Sequence, residues 1–220
     1  MKLARPDVFH PRIVLAGPGG DADRTGDDAG LVGELRRRGL HARWLPWDDP
    51  ETASADLVIL RAVGTRDRRA EFLAWTRRLP HLLNPPSVVA WNLDERYLHD
   101  LEADGVPTTG PDATPETALI FLGGEQSHAW PVEPEFESWD LGHAALAAAA
   151  GRAGIAAGEL LYARADVAGD RLVALDVVAP SLGWRRLDTA ARELAQLRFA
   201  LALESACERL GLGPLSHRSP

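Results

Sequence analysis

Short apolar runs closed by turn residues alternate with amphipathic stretches over the first hundred residues. Ile13-Val-Leu-Ala16 follows Arg12 and stops at Gly17-Pro-Gly-Gly20, which predicts a buried strand and then a turn. The strand pattern returns at 41–45 and, as Asp-Leu-Val-Ile-Leu-Arg, at 56–61. Between the first two strands a helix is expected over 27–38, with Asp27-Asp28 as its cap and Gly39 as its stop. Phe72, Trp75 and Leu79 fall on one helical face, so 67–79 reads as a helix that Pro80 ends. Residues 87–91 read as a further strand, and 94–104 as a helix closed by Gly105. Strands alternating with helices imply parallel βαβ units, so 1–106 is expected to form a small doubly wound, Rossmann-like lobe.

After 106 the pattern changes. Apolar runs at 117–122 and 126–130 flank Gly123-Gly124-Glu125, a hairpin signal. A second hairpin is expected from 159–167 and 171–179 around Ala168-Gly-Asp170. An acidic, proline-bearing loop (131–136) and an alanine-rich helix (140–152) lie between the two hairpins, and a long amphipathic helix (189–210) follows them. Hairpins mixed with helices predict an α+β lobe over 116–220. Residues 107–115 hold three prolines and read as a connector. The expected fold class is therefore α/β: a parallel sheet first, then an α+β lobe.

Four fragments in order carry a resemblance. Asn84-Pro85 with Val89-Ala-Trp-Asn92 and Asp94-Glu-Arg-Tyr-Leu98 comes first, then 116–129 (ETALIFLGGEQSHA). Leu161-Tyr-Ala-Arg-Ala-Asp166 and Leu175-Asp-Val-Val-Ala-Pro-Ser181 complete the set. Together they resemble glutathione-synthetase-like ATP-grasp proteins of actinobacterial type. The resemblance implies an ATP- and magnesium-dependent carboxylate–amine ligase, with Arg164 on phosphate and Asp166 and Asp176 on metal. It also implies a central subdomain with a phosphate-binding lysine and a glycine-rich flap, where this chain has only 107–115. The family's lysine beside the Trp-Asn segment corresponds to Glu95, and carboxylates expected near the metal correspond to Ala174 and Ala179. Phosphoryl transfer needs cations against the phosphate oxygens, and glutamate in place of lysine reverses the charge.

Composition sharpens this reading. Lys2 is the single lysine among 24 basic residues, so no other lysine can serve a phosphate. A net charge of -8 argues against nucleic acid and anionic membrane as partners. No apolar run is long enough to span a bilayer, the first residues lack a secretory core, and Cys207 is the only cysteine, which together suit a cytoplasmic protein. Glu125 with His128 lacks metal-ligand spacing, Cys207 sits on an apolar helix face beside Leu203 and Leu210, and Arg36-Arg37-Arg38 with Arg66, Arg68, Arg69, Arg77 and Arg78 reads as solvated helix surface. The loop after Gly17 is followed by Asp21, Asp23, Asp27 and Asp28, which would repel an anion.

The sequence thus favours a non-catalytic ATP-grasp-like scaffold for a protein partner or small ligand, with no cofactor expected. The alternative is a reduced ATP- and magnesium-dependent ligase. Trp130, Trp139 and Trp184 surround the place where the family's active site would open, so they are expected to form an interface, in a homodimer or with a protein partner.

Overall fold

The computed structural model describes residues 9–17, 26–61, 67–109, 113–131 and 133–214. Most of the turn after Gly17, together with Arg66, lies outside them. Two four-stranded sheets organise the chain. The first is parallel: β1 (Ile13–Ala16), β2 (Ala42–Leu45), β3 (Leu57–Leu60) and the two-residue β4 (Leu82–Leu83), in the order β2-β1-β3-β4. The second is antiparallel: β5 (Thr117–Leu122), β6 (Glu125–Trp130), β7 (Tyr162–Ala168) and β8 (Arg171–Asp176), in the order β6-β5-β7-β8. A mixed α/β architecture with a parallel sheet and then antiparallel hairpins is what the pattern predicts.

The helices cover the sheet faces. On one face of the parallel sheet, α2 (Arg69–Thr76) and α3 (Pro86–Asn92) pack with Trp47, Phe72 and Val89. On the other, α1 (Leu31–Arg37) and α6 (Thr189–Arg209) share a core with Ile13, Leu15, Ile120, Tyr162 and Phe199, so one apolar cluster joins both sheets. The outer face of the antiparallel sheet is closed by α4 (Tyr97–Ala103) and α5 (Phe136–Ala153) around Leu119, Phe121 and Leu146.

Two local expectations are corrected. Residues 87–91 lie in α3, not in a strand. Pro86 at the first helical turn has its φ already set for a helix, and Val88, Val89 and Asn92 are buried at helical spacing. The fourth strand is Leu82–Leu83 instead. Helix α1 starts at Leu31, after Gly30 in left-handed backbone (φ 87°), not at Asp27-Asp28. Those aspartates are committed elsewhere. Asp28 pairs with the buried Arg61 (2.7 Å), and a buried guanidinium requires that counterion. Asp27 accepts from Ser181 Oγ (3.0 Å) and from the N–H groups of Gly183 (2.8 Å) and Arg185 (3.1 Å).

The two sheets are held together by buried polar side chains. The Asn84 amide donates to the carbonyls of Tyr162 (2.9 Å) and Val177 (2.8 Å) and accepts from the Leu161 N–H (2.7 Å). The Tyr162 hydroxyl lies 2.5 Å from the Leu60 carbonyl and 3.0 Å from that of Val178. Arg61 Nη2 also donates to the Pro180 carbonyl (3.2 Å). In Asn84→Ala, three buried backbone groups would lose their partner at once. At roughly 1–3 kcal/mol for each unpaired buried group, with partial relaxation, we expect a loss of about 3 kcal/mol in urea unfolding. A loss below about 1 kcal/mol would show that the amide does not hold the junction.

Candidate functional site

The free edge of β8 creates the site. Its backbone would face solvent, but two side chains from the first half of the chain cover it. Asn92 donates to the Leu175 carbonyl (2.8 Å) and accepts from the Val177 N–H (3.0 Å), copying a neighbouring strand. The Tyr97 hydroxyl accepts from the Leu175 N–H (3.3 Å), which leaves its own proton free to donate. Further along, Pro107 accepts from the Leu172 N–H (2.8 Å) and Thr109 donates to the Leu172 carbonyl (2.9 Å).

Beside this covered edge opens a cavity of about 470 Å³. Asn92, Tyr97, Arg164, Asp166, Ala174 and Asp176 are among its lining residues. The three site residues named from the sequence therefore meet in one pocket. Arg164 lies opposite Asp176 in the β7–β8 register, and Asp166 opposite Ala174. These four positions share one face of the hairpin, because side chains alternate along a strand. The two aspartates are diagonal neighbours rather than a facing pair.

The charges in the pocket are already engaged. Arg164 Nε donates to Asp166 Oδ1 at 2.8 Å, and both side chains are largely buried. The Arg164 guanidinium also lies 5.1 Å from the Trp130 ring centre. Asp176 Oδ1 accepts from the N–H groups of Val178 (2.9 Å) and Ala179 (3.2 Å). Burial pushes the Asp176 carboxyl above the usual range, and those two N–H bonds with the nearby Arg61 and Arg164 only partly offset it. Burial also raises the Tyr97 phenol.

Magnesium demands several oxygen ligands in octahedral geometry. Here one carboxylate is tied to Arg164, the other is held by its own backbone, and the position facing Asp166 carries a methyl group. Among the described residues no group of three or more His, Cys, Asp or Glu side chains could hold a metal ion. With one oxygen of each aspartate already bonded within the chain, the pocket offers a magnesium ion few carboxylate oxygens.

Other sequence candidates lie apart. The His128 ring bonds the Leu182 carbonyl through Nε2 (2.7 Å) and Ser127 Oγ through Nδ1 (2.9 Å), and burial lowers its pKa. Glu125 is exposed on the hairpin. The Cys207 thiol is buried and pushed up to about 11, an unreactive state. Arg37, Arg38, Arg68 and Arg69 pair with carboxylates at the surface. The tryptophans require a correction: Trp130, Trp139 and Trp184 are at most 9% exposed and lie in the core of their own chain. Trp184 packs edge-on against Phe199 (5.7 Å), Trp139 against Phe121 (5.4 Å), and Trp130 fills the space that a side chain on Gly183 would need. They leave almost no surface for a partner.

Comparison with known proteins fits this geometry. Residues 13–84 match the family model of the N-terminal domain of the D-cycloserine synthetase DcsG. Over 83 residues the chain is 39% identical to the cycloserine biosynthesis protein DcsG of Streptomyces lavendulae, a match that takes in 35% of this chain but 28% of that relative. The crystal structure of D-cycloserine synthetase DcsG superposes with a TM-score of 0.70 at 22% identity, covering 90% of this chain and 99% of that one. The ATP-grasp ligase PsnB, in complex with a phosphomimetic variant of its minimal precursor, Mg and ADP, gives 0.55 at 12% identity over 88% and 99%. Macrocyclase MdnB from Microcystis aeruginosa gives 0.51 at 11% identity over 85% and 98%. The chain shares its fold with ATP-grasp ligases. Residues 13–84, which hold the whole first sheet, match the N-terminal domain of DcsG.

The raised pKa of Asp176 has a testable consequence. The folded state holds this proton more tightly than the unfolded chain does. The carboxyl therefore adds stability that is fully present below its unfolded-state pKa and is lost as pH rises through the folded-state value. Asp176→Asn keeps an acceptor for Val178 and Ala179 and cannot ionise. We expect its melting temperature to exceed that of the unchanged chain at neutral pH, with the gap closing in acid. Equal melting curves at both pH values would show that the carboxyl is not perturbed.

Proposed function

We propose that this chain is a non-catalytic relative of the ATP-grasp ligases, a scaffold that keeps the pocket over β7 and β8 as a binding site for a small ligand or protein partner. The observation that carries this reading is the closed charge system of the pocket. Arg164 is paired with Asp166, and Asp176 is bonded by the N–H groups of Val178 and Ala179, so a metal or a triphosphate would have to compete with bonds already made within the chain. The chain length supports it. Nine residues separate Val106 from Glu116, too few for a subdomain that closes over a nucleotide. DcsG is the longer protein, yet the superposition runs over 99% of its chain, which accords with an internal segment that this chain lacks.

The glutathione-synthetase-like features of 84–181 remain part of this reading as a resemblance in motif. A cytoplasmic setting suits the single buried cysteine, and among the described residues no helix is long and apolar enough to cross a membrane.

The rival reading is a reduced ATP- and magnesium-dependent ligase, favoured by the meeting of Arg164, Asp166 and Asp176 in one pocket. Titration calorimetry with Mg-ATP decides between them. We expect no binding below millimolar concentration, and no rise in melting temperature with nucleotide. A micromolar dissociation constant, which at a hundredfold excess of ligand would add roughly 2.7 kcal/mol of stability, would overturn the non-catalytic reading.

A further inference from the structure

The longest helix presents an apolar ridge to solvent. Leu194 and Leu201 on α6 are 49% and 45% exposed, and Leu197, half-buried, stands between them at helical spacing. They are two of the three large hydrophobic side chains exposed among the described residues. Charge is divided across this ridge. Counting one hundred degrees per residue from Leu201, Arg198, Ser205 and Arg209 fall on one flank, and Glu193, Glu204 and Glu208 on the other. The surroundings of the helix agree. Arg198, Leu201, Ala202, Ser205 and Arg209 border a groove of about 550 Å³ beside the β5–β6 hairpin. Glu204 and Glu208 instead line a separate cavity next to the end of α1.

We propose that this ridge is the interface of a homodimer, in which α6 packs against the α6 of a second copy with the two helices parallel. Two molecules related by a two-fold axis along the helices set the leucines of one copy against those of the other. The charges select the direction. A two-fold axis along the helices sets the arginine flank of one copy against the glutamate flank of its mate, with Glu193 reaching the partner's Arg198 one turn and a residue along. An antiparallel pair would set arginine against arginine and glutamate against glutamate, so it is disfavoured. The groove floor suits close approach, since Gly123, Gly158 and Ala202 line it with little side chain. The groove shares no lining residue with the Arg164–Asp166 pocket, and the proposal stands whether or not that pocket binds nucleotide.

The test is sedimentation equilibrium of the purified chain with a set of charge and ridge variants, each checked for native circular dichroism. We expect a dimer at ~100 μM that weakens as salt is raised. Leu201→Asp should leave a monomer. Arg198→Glu alone should weaken the dimer at least about tenfold, and adding Glu193→Arg should restore it, because the two flanks then exchange sign together. Leu194→Cys and Leu201→Cys should each cross-link to their own copy on mild oxidation, as only a parallel pair brings both positions to themselves. A monomer at ~100 μM, or a dimer indifferent to Leu201→Asp, would overturn the proposal. A double reversal that fails to restore association would overturn the parallel arrangement.

Discussion

Asn84 has no exposed surface, and its whole side-chain amide is committed to the other half of the chain. It follows β4 directly and fills the gap between the start of β7 and the end of β8 with one acceptor and two donor bonds. A buried primary amide is stable only when all these bonds are made, so the two sheets cannot slide or separate without a large desolvation cost. Tyr162 acts at the same seam. Its hydroxyl reaches carbonyls at the ends of β3 and β8, while its ring lies parallel to that of Phe199 of α6. Arg61 adds a third connection, buried with Asp28 and bonded to Pro180. The apolar cluster that runs through both sheets forms around this fixed seam.

The pocket is a consequence of the same constraint. Once Asn84 holds the ends of β7 and β8, the remaining edge of β8 comes within reach of α3 and α4, and Asn92 and Tyr97 cap its backbone. A covered edge cannot recruit another strand, and it leaves the hairpin face beside it open as a cavity. The residues on that face then satisfy one another. A largely buried, isolated carboxylate would be costly; Asp166 is paired with Arg164, and Asp176 is held by backbone N–H groups and pushed toward its neutral form. The result is a pocket whose charged side chains bond within the chain.

Burial also explains the tryptophans. An indole ring beside a vacated cleft is a natural interface candidate on sequence grounds, but each ring here has a specific packing partner inside the chain. Gly183 is the clearest case. With positive φ and a Trp130 ring atom 2.3 Å from where a Cβ would stand, that backbone position fits only glycine. The ridge on α6 is different because Leu194 and Leu201 stay about half exposed among the described residues.

Hydrophobic period alone determined most elements: β1, β2, β3, both hairpins, α2, α4, α5 and α6 follow from spacing and turn residues that act over a few positions. It failed at 87–91, where two valines suggested a strand although Pro86 had already set a helical start, and at α1, where two aspartates suited to capping are claimed by partners over thirty residues away. The residues of the pocket were legible in part. Arg164, Asp166 and Asp176 could be named because they sit in recognisable fragments, and Asn84 and Asn92 were visible in such fragments without any role. The role of Tyr97 on the β8 edge and the burial of Arg61 with Asp28 came only from the folded chain. The physical reason is range. A periodic pattern records which face of an element is buried, whereas the partner of a buried amide, guanidinium or carboxylate is fixed only when distant strands are brought within hydrogen-bond distance.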